Sequence, residues 1–147
     1  MSEEAKRIQL LESRAAIADL VHGYALNVRT GKPGDCAEMF TKEATFEVRE
    51  ARLGGSSQQT RAKLSGRKAI VDYIARSSTS GARVCPLIHN LIVRIDGNDA
   101  TSNCAMETLV WPGGQKMVGE YHDTFRYENG WRFSARVFTI LGEFGAS

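Results

Sequence analysis

Two periodicities divide the chain. In the first, apolar residues return every three or four positions: Ile17, Leu20, Val21, Tyr24 and Val28 mark one side of a helix, with Arg14, Asp19 and His22 elsewhere on the wheel. Thr30-Gly31-Lys32-Pro33-Gly34 ends that helix, since two glycines and a proline do not continue it. Asp35 opens a second, short helix, with Glu38 in the capping-box position and Ala37, Met39 and Phe40 as its apolar side. Thr45 to Glu50 alternates as a strand. Residues 51–64, rich in Gly, Ser and Gln, read as a long loop or flap, after which Ser65 is expected to cap a third helix with an Ala69, Ile70, Tyr73, Ile74 stripe.

From Arg83 the period falls to two and stays there to Leu141. Asp96-Gly97-Asn98, Pro112-Gly113-Gly114 and Glu128-Asn129-Gly130 punctuate this stretch into four long strands, whose short turns make an antiparallel meander. The first of them is apolar on both faces, with Leu87, Leu91 and Val93 beside Ile88 and Ile92, and is therefore expected at the centre of the sheet. Helices followed by long antiparallel strands predict an α+β fold, with N-terminal helices packed into a strongly curved antiparallel sheet. Curling around helices leaves a cone with an internal cavity. No linker or internal repeat divides the chain, so residues 1–147 are read as a single domain.

Composition narrows the function. A net charge of +2, evenly spread, leaves no basic stripe, so no nucleic-acid partner is expected. No apolar run approaches the ~20 residues of a membrane span, and the charged Met-Ser-Glu-Glu-Ala-Lys-Arg start is not expected to be a signal peptide. Cys36, Cys85 and Cys104 are far apart and read as free thiols in a reducing compartment, which makes the cytoplasm the expected location. No element carries metal-ligand spacing, and Gly31-Lys32-Pro33-Gly34 lacks the pattern of a phosphate-binding loop. Neither a metal nor a cofactor is expected.

The order of elements resembles the SnoaL-like branch of the nuclear transport factor 2-like superfamily, with its cone-shaped α+β barrel. The resemblance rests on Ser13-Arg14-Ala15-Ala16-Ile17-x-Asp19-Leu20, Met39-Phe40-Thr41 and Gly66-Arg67-x-Ala69-Ile70. It continues with Asn90 six residues before Asp96-Gly97, then Gly119-x-Tyr121-x-Asp123-x-Phe125 and Asn129-Gly130-Trp131-Arg132-Phe133-x-x-Arg136. It implies a cofactor-independent lyase or isomerase acting on a small hydrophobic, aromatic or polyketide-like molecule. Non-catalytic binding proteins and the small subunits of ring-hydroxylating dioxygenases share the same resemblance. In the dehydratase and dehydrochlorinase members an Asp late in the first helix works with a His on the first long strand. The corresponding positions here are Arg29 and Pro86, so that dyad is absent.

Candidate chemistry then falls on the strands. Tyr121 and Asp123 share a face with Gly119, which the resemblance places on the pocket with room for a ligand. A phenol there can donate to a substrate oxygen; equally, Tyr121 and Asp123 can hold each other and the first helix. Arg136 shares its face with Phe138 and Ile140 and needs a partner, which Asp123, Glu107 or a ligand oxygen can supply. Asn90 is expected to face the cavity by the resemblance, and alternation then adds Ile88 and Ile92 while turning His89 away unless a bulge intervenes. His89 is therefore read either as catalytic or as a hydrogen-bonded core or interface residue. Glu107, between Ala105 and Leu109, is a base or a salt-bridge partner. Tyr24 is core with its hydroxyl free, Arg29 a substrate anchor or a solvated residue, and Phe46 a core or pocket wall. Val110, Val118 and Leu87 suggest an apolar outer surface and a homodimer or homotrimer.

Overall fold

The computed structural model describes residues 1–51, 58–77 and 83–145. Its elements are helix α1 (Glu3–Thr30), a 3-10 helix (Pro33–Met39), strands β1 (Phe40–Ala51) and β2 (Gln58–Ser65), helix α2 (Arg67–Ser77), and strands β3 (Arg83–Asp96), β4 (Asp99–Trp111), β5 (Lys116–Tyr127) and β6 (Trp131–Phe144). Ser2 caps α1 by accepting from the Ala5 N–H at 3.0 Å, and Glu3 and Glu4 complement the helix dipole. Gly31 ends it in the left-handed region at φ 72°, a conformation glycine adopts without a Cβ penalty. Only the second half of α1 is deeply packed: Ile17, Val21, Tyr24 and Ala25 are buried, whereas Ile8 and Leu11 lie on its exposed first half.

The strands form one six-stranded sheet in the order β2-β1-β6-β5-β4-β3. The meander over β3–β6 is as the turns indicate, but the sheet is mixed, because β1 runs parallel to β6. β2 occupies the second half of the segment read as a flap. Its Ala62 and Leu64 pack on the core, and pairing with β1 outweighs its polar composition. Ser65 ends β2 rather than capping α2, and Gly66 at φ 93° makes the turn between them. Register shifts with an extra residue on β2, β3 and β6 mark the bends that curl the sheet over α1.

β3 is an edge strand, not a central one. Its Pro86 fits that place, since proline lacks the N–H that a central strand needs on both sides. Its two apolar faces have a second cause. At Asn90 (φ 56°) and Leu91, two residues of β3 oppose Cys104 of β4, so the inward set changes parity. Val84, Pro86 and Ile88 lie opposite inward-facing β4 residues before this bulge, and Val93 and Ile95 after it. Ile92, expected inside, is 51% exposed. Val110 pairs with Val84 on the inner side, leaving only Leu87 and Val118 of the three expected outer apolar residues on the outer face.

Candidate active site

Alternation on β4, on β5 and from Arg136 to Ile140 of β6 aligns two rows on the inner face. Cys104, Tyr121 and Phe138 lie side by side, and the next row is Ser102, Asp123 and Arg136. Arg136 is 1% exposed and Asp123 3%. The Arg136 Nε donates to Asp123 Oδ1 at 2.9 Å and Nη2 donates to Oδ2 at 3.3 Å, a two-pronged contact that fits the planar fork. The guanidinium carbon also sits 3.7 Å from the ring centroid of Tyr121, 4.3 Å from that of Tyr24 and 4.5 Å from that of Phe133. Arg136 is thus held between aromatic faces, where a desolvated cation is attracted to the ring quadrupoles. Burial works against its charge, but Asp123 and the two phenols outweigh that and keep it firmly protonated. Burial pushes the Asp123 carboxyl up and the facing guanidinium pulls it back. With both prongs made, the pair is ionised.

Tyr24 and Tyr121 separate this charged layer from a cavity of about 160 Å³. α1 contributes Tyr24 and Val28 to its wall, α2 Tyr73 and Ile74, and β3 Val84 and Pro86. β4 adds Met106 and Thr108, β5 Met117 and Tyr121, and β6 Phe138. A space of roughly 150 Å³ holds a benzene ring, so the cavity is sized for one small ring. Burial pushes the Tyr121 phenol up to about 12 against the opposing pull of Arg136, and raises Tyr24 well above its ordinary value. Both are protonated donors at neutral pH, and neither hydroxyl bonds to a described side chain. Thr108 donates to the Met106 sulfur at 2.7 Å.

Two larger openings lie elsewhere. One, of about 590 Å³, runs between the first half of α1 and the hairpin bearing Tyr127 and Trp131; the other, about 530 Å³, lies among Glu38, Arg67, Glu128 and Arg132. In the second, Arg67 and Arg132 are already engaged with Glu38. The smaller cavity is the candidate site because it lies inside the cone and receives both buried phenols. Among the described residues no group of His, Cys, Asp and Glu side chains is arranged to hold a metal ion.

Of the residues singled out in the sequence, Tyr24, Tyr121 and Phe138 meet at the cavity, and Asp123 and Arg136 stand directly behind it. Phe46 is buried with its ring 6.3 Å from Tyr73, outside the lining. The others lie away from the cavity. Asn90 is exposed at the bulge, and Arg29 is exposed in the last turn of α1. His89 and Glu107 face outward, where the Glu107 carboxylate lies 3.5 Å from both His89 Nε2 and Lys116 Nζ. The even-numbered residues of β4 point inward, which turns Ala105, Glu107 and Leu109 out. Gly119 makes room for Phe138 rather than a ligand: a Cβ there would come within 2.5 Å of that ring. Thr108, Met117 and Tyr73 went unremarked as site residues. Thr108 was findable as the hydroxyl in the inward row of Cys104 and Met106, and Tyr73 as the polar-tipped member of the α2 stripe.

The helices and the curved sheet thus form a cone with an apolar cavity, and the comparisons show which family has this fold. The SnoaL-like domain family matches residues 9–137, and the chain belongs to that family. No curated protein matches the sequence. Among solved structures, a nuclear transport factor 2-like protein with a cystatin-like fold from Novosphingobium aromaticivorans is 25% identical, with a TM-score of 0.74 over 93% of this chain and 87% of that one. A candidate scytalone dehydratase from the same organism is 18% identical, with a TM-score of 0.77 over 97% and 92%. The beta subunit of a candidate aromatic-ring-hydroxylating dioxygenase, again from that organism, is 13% identical, with a TM-score of 0.75 over 92% of each chain. The last two likenesses concern the fold alone.

Proposed function

We propose that the chain is a cofactor-independent lyase or isomerase, a dehydratase or retro-aldol carbon–carbon lyase, acting on a small aromatic or polyketide-like molecule in the cone. One observation carries the reading: two protonated phenols open onto a largely apolar cavity while the Arg136 guanidinium lies 3.7 and 4.3 Å beneath their rings. Dehydration and retro-aldol cleavage both build negative charge on a substrate oxygen. A fixed O–H donor in a largely apolar site stabilises that charge, and the cation behind the ring offsets part of the rise that burial imposes on the phenol. The proton released by the substrate leaves to water at the open side of the cavity. Tyr121, the more closely stacked of the two, is the principal donor, and Tyr24 the second. Asp123 fixes the guanidinium and so positions rather than reacts.

The test is turnover of a panel of small hydroxy-ketones and phenols, followed by proton NMR in wild type and in Tyr121→Phe. Losing one such donor should lower kcat by about 10²–10³-fold. Equal rates in the two proteins would remove Tyr121 from the chemistry. A second reading is favoured by a separate observation: no carboxylate or imidazole is among the described residues of the wall, so those residues offer no obvious base. In that reading the cone binds its ligand without transforming it, and the same panel would bind with no product formed.

A further inference from the structure

We infer that the cavity selects an uncharged single-ring molecule bearing both an oxygen acceptor and a hydroxyl, and rejects carboxylates of the same size. The inference rests on the reading of the cone as the ligand site and names the class of ligand it takes.

None of the described wall residues carries a charge. The cation behind the wall does not change this. Arg136 gives Nε and Nη2 to Asp123, its unpaired Nη1 is buried away from the cavity surface, and the rings of Tyr24 and Tyr121 stand between the guanidinium and the cavity. A carboxylate entering the cavity would lose its hydration with no counter-ion to meet it, a far larger cost than burying a neutral oxygen.

The hydroxyls set the rest of the complement. Tyr24 and Tyr121 stay protonated and are not bonded to a described side chain, so each presents a donor to a carbonyl or phenol oxygen. The Thr108 hydroxyl gives its proton to the Met106 sulfur at 2.7 Å, which leaves its lone pairs to accept from a ligand O–H. An apolar ring between these groups packs on Phe138, Met117 and Pro86. With about 160 Å³ available, one ring with small substituents fills the space.

The experiment is a titration of the purified protein at pH 6.0, where the aldehyde's phenol is neutral and the benzoate's carboxyl is ionised, with the matched probes 4-hydroxybenzaldehyde and 4-hydroxybenzoate. Ligand-observed NMR gives affinity, and each probe is repeated on the cavity-filling variants Val84→Phe and Met117→Trp, checked for folding by circular dichroism. The aldehyde is expected to bind at least about tenfold more tightly than the carboxylate. Its binding should weaken by a similar factor in whichever filled variant folds. Carboxylate binding as tight as the aldehyde's, abolished by the same filling, would overturn the selectivity while leaving the cone as the site. Binding of neither probe, or binding that filling does not touch, would overturn the reading of the cone and the selectivity with it.

Discussion

The curved sheet carries ion pairs on both of its faces, and the two faces treat them differently. Inside, Asp123 of β5 meets Arg136 of β6 with both side chains fully shielded, held by two hydrogen bonds and aromatic faces. Outside, Glu107 of β4 lies between Lys116 of β5 and His89 of β3 at 3.5 Å, with all three side chains partly in water. The inner charges have lost their hydration, so their geometry must replace it. The outer ones keep water and salt as alternative partners, which leaves their attraction worth ~0–1 kcal/mol. Residue type is nearly the same on the two faces; environment decides which pair matters.

The sharpest way to break this contrast is to remove one inner partner. Arg136→Met leaves Asp123 buried without a counter-charge and should cost about 3–5 kcal/mol in urea denaturation, if the variant folds at all. The double change Asp123→Leu with Arg136→Met should cost less than Arg136→Met alone, since no stranded charge remains. A double variant as unstable as the single one would mean that packing, not charge, fixes this layer.

The buried phenols give a second, pH-dependent handle. Tyr121 ionises at an ordinary value of 10.0 when unfolded but only at about 12 in the fold, so the folded state favours the neutral phenol. Its contribution to stability is whole below pH 10 and is lost as the pH rises through 12. Urea midpoints should therefore fall across that window, and less steeply in Tyr121→Phe. A fall of the same slope in both proteins would assign it to other groups.

The smallest effect belongs to the outer face. Glu107→Ala should change stability by no more than ~0.5 kcal/mol, the usual scale for surface substitutions. A loss beyond ~2 kcal/mol would show that this patch is not simply solvated.

Much of this architecture could be read from the residues. The period-two stretch and its turns locate the four meander strands, and the parity of Tyr121 and Asp123 against Arg136 brings those three together on one face. What escaped is what alternation does not encode. β2 is held by its partner strand despite a polar, small-residue composition, and the parallel pairing of β1 with β6 joins residues 90 positions apart in sequence, as Thr45 with Ala135. The reading of Arg136 as a ligand anchor could not anticipate that two tyrosine rings stand in front of it. Glu107 illustrates the limit of a face-by-face argument. Its apolar neighbours Ala105 and Leu109 suggested an interior row, yet the interior row is the one carrying Met106 and Thr108.

The bulge at Asn90 and Leu91 makes β3 two half-strands written in opposite phase. The half before it supplies Val84 and Pro86 to the cavity, while the half after it carries Val93, whose carbonyl receives the Arg14 guanidinium at 2.9 Å. Each half therefore has its own code for what points inward. Straightening the bulge with every residue kept would put both halves on one beat and turn one of them inside out, whereas loss of a single residue there would leave both inward sets in place. With the bulge in place, the cavity end can drift in sequence toward a new ligand while the end that seats the helix keeps its own inward set unchanged.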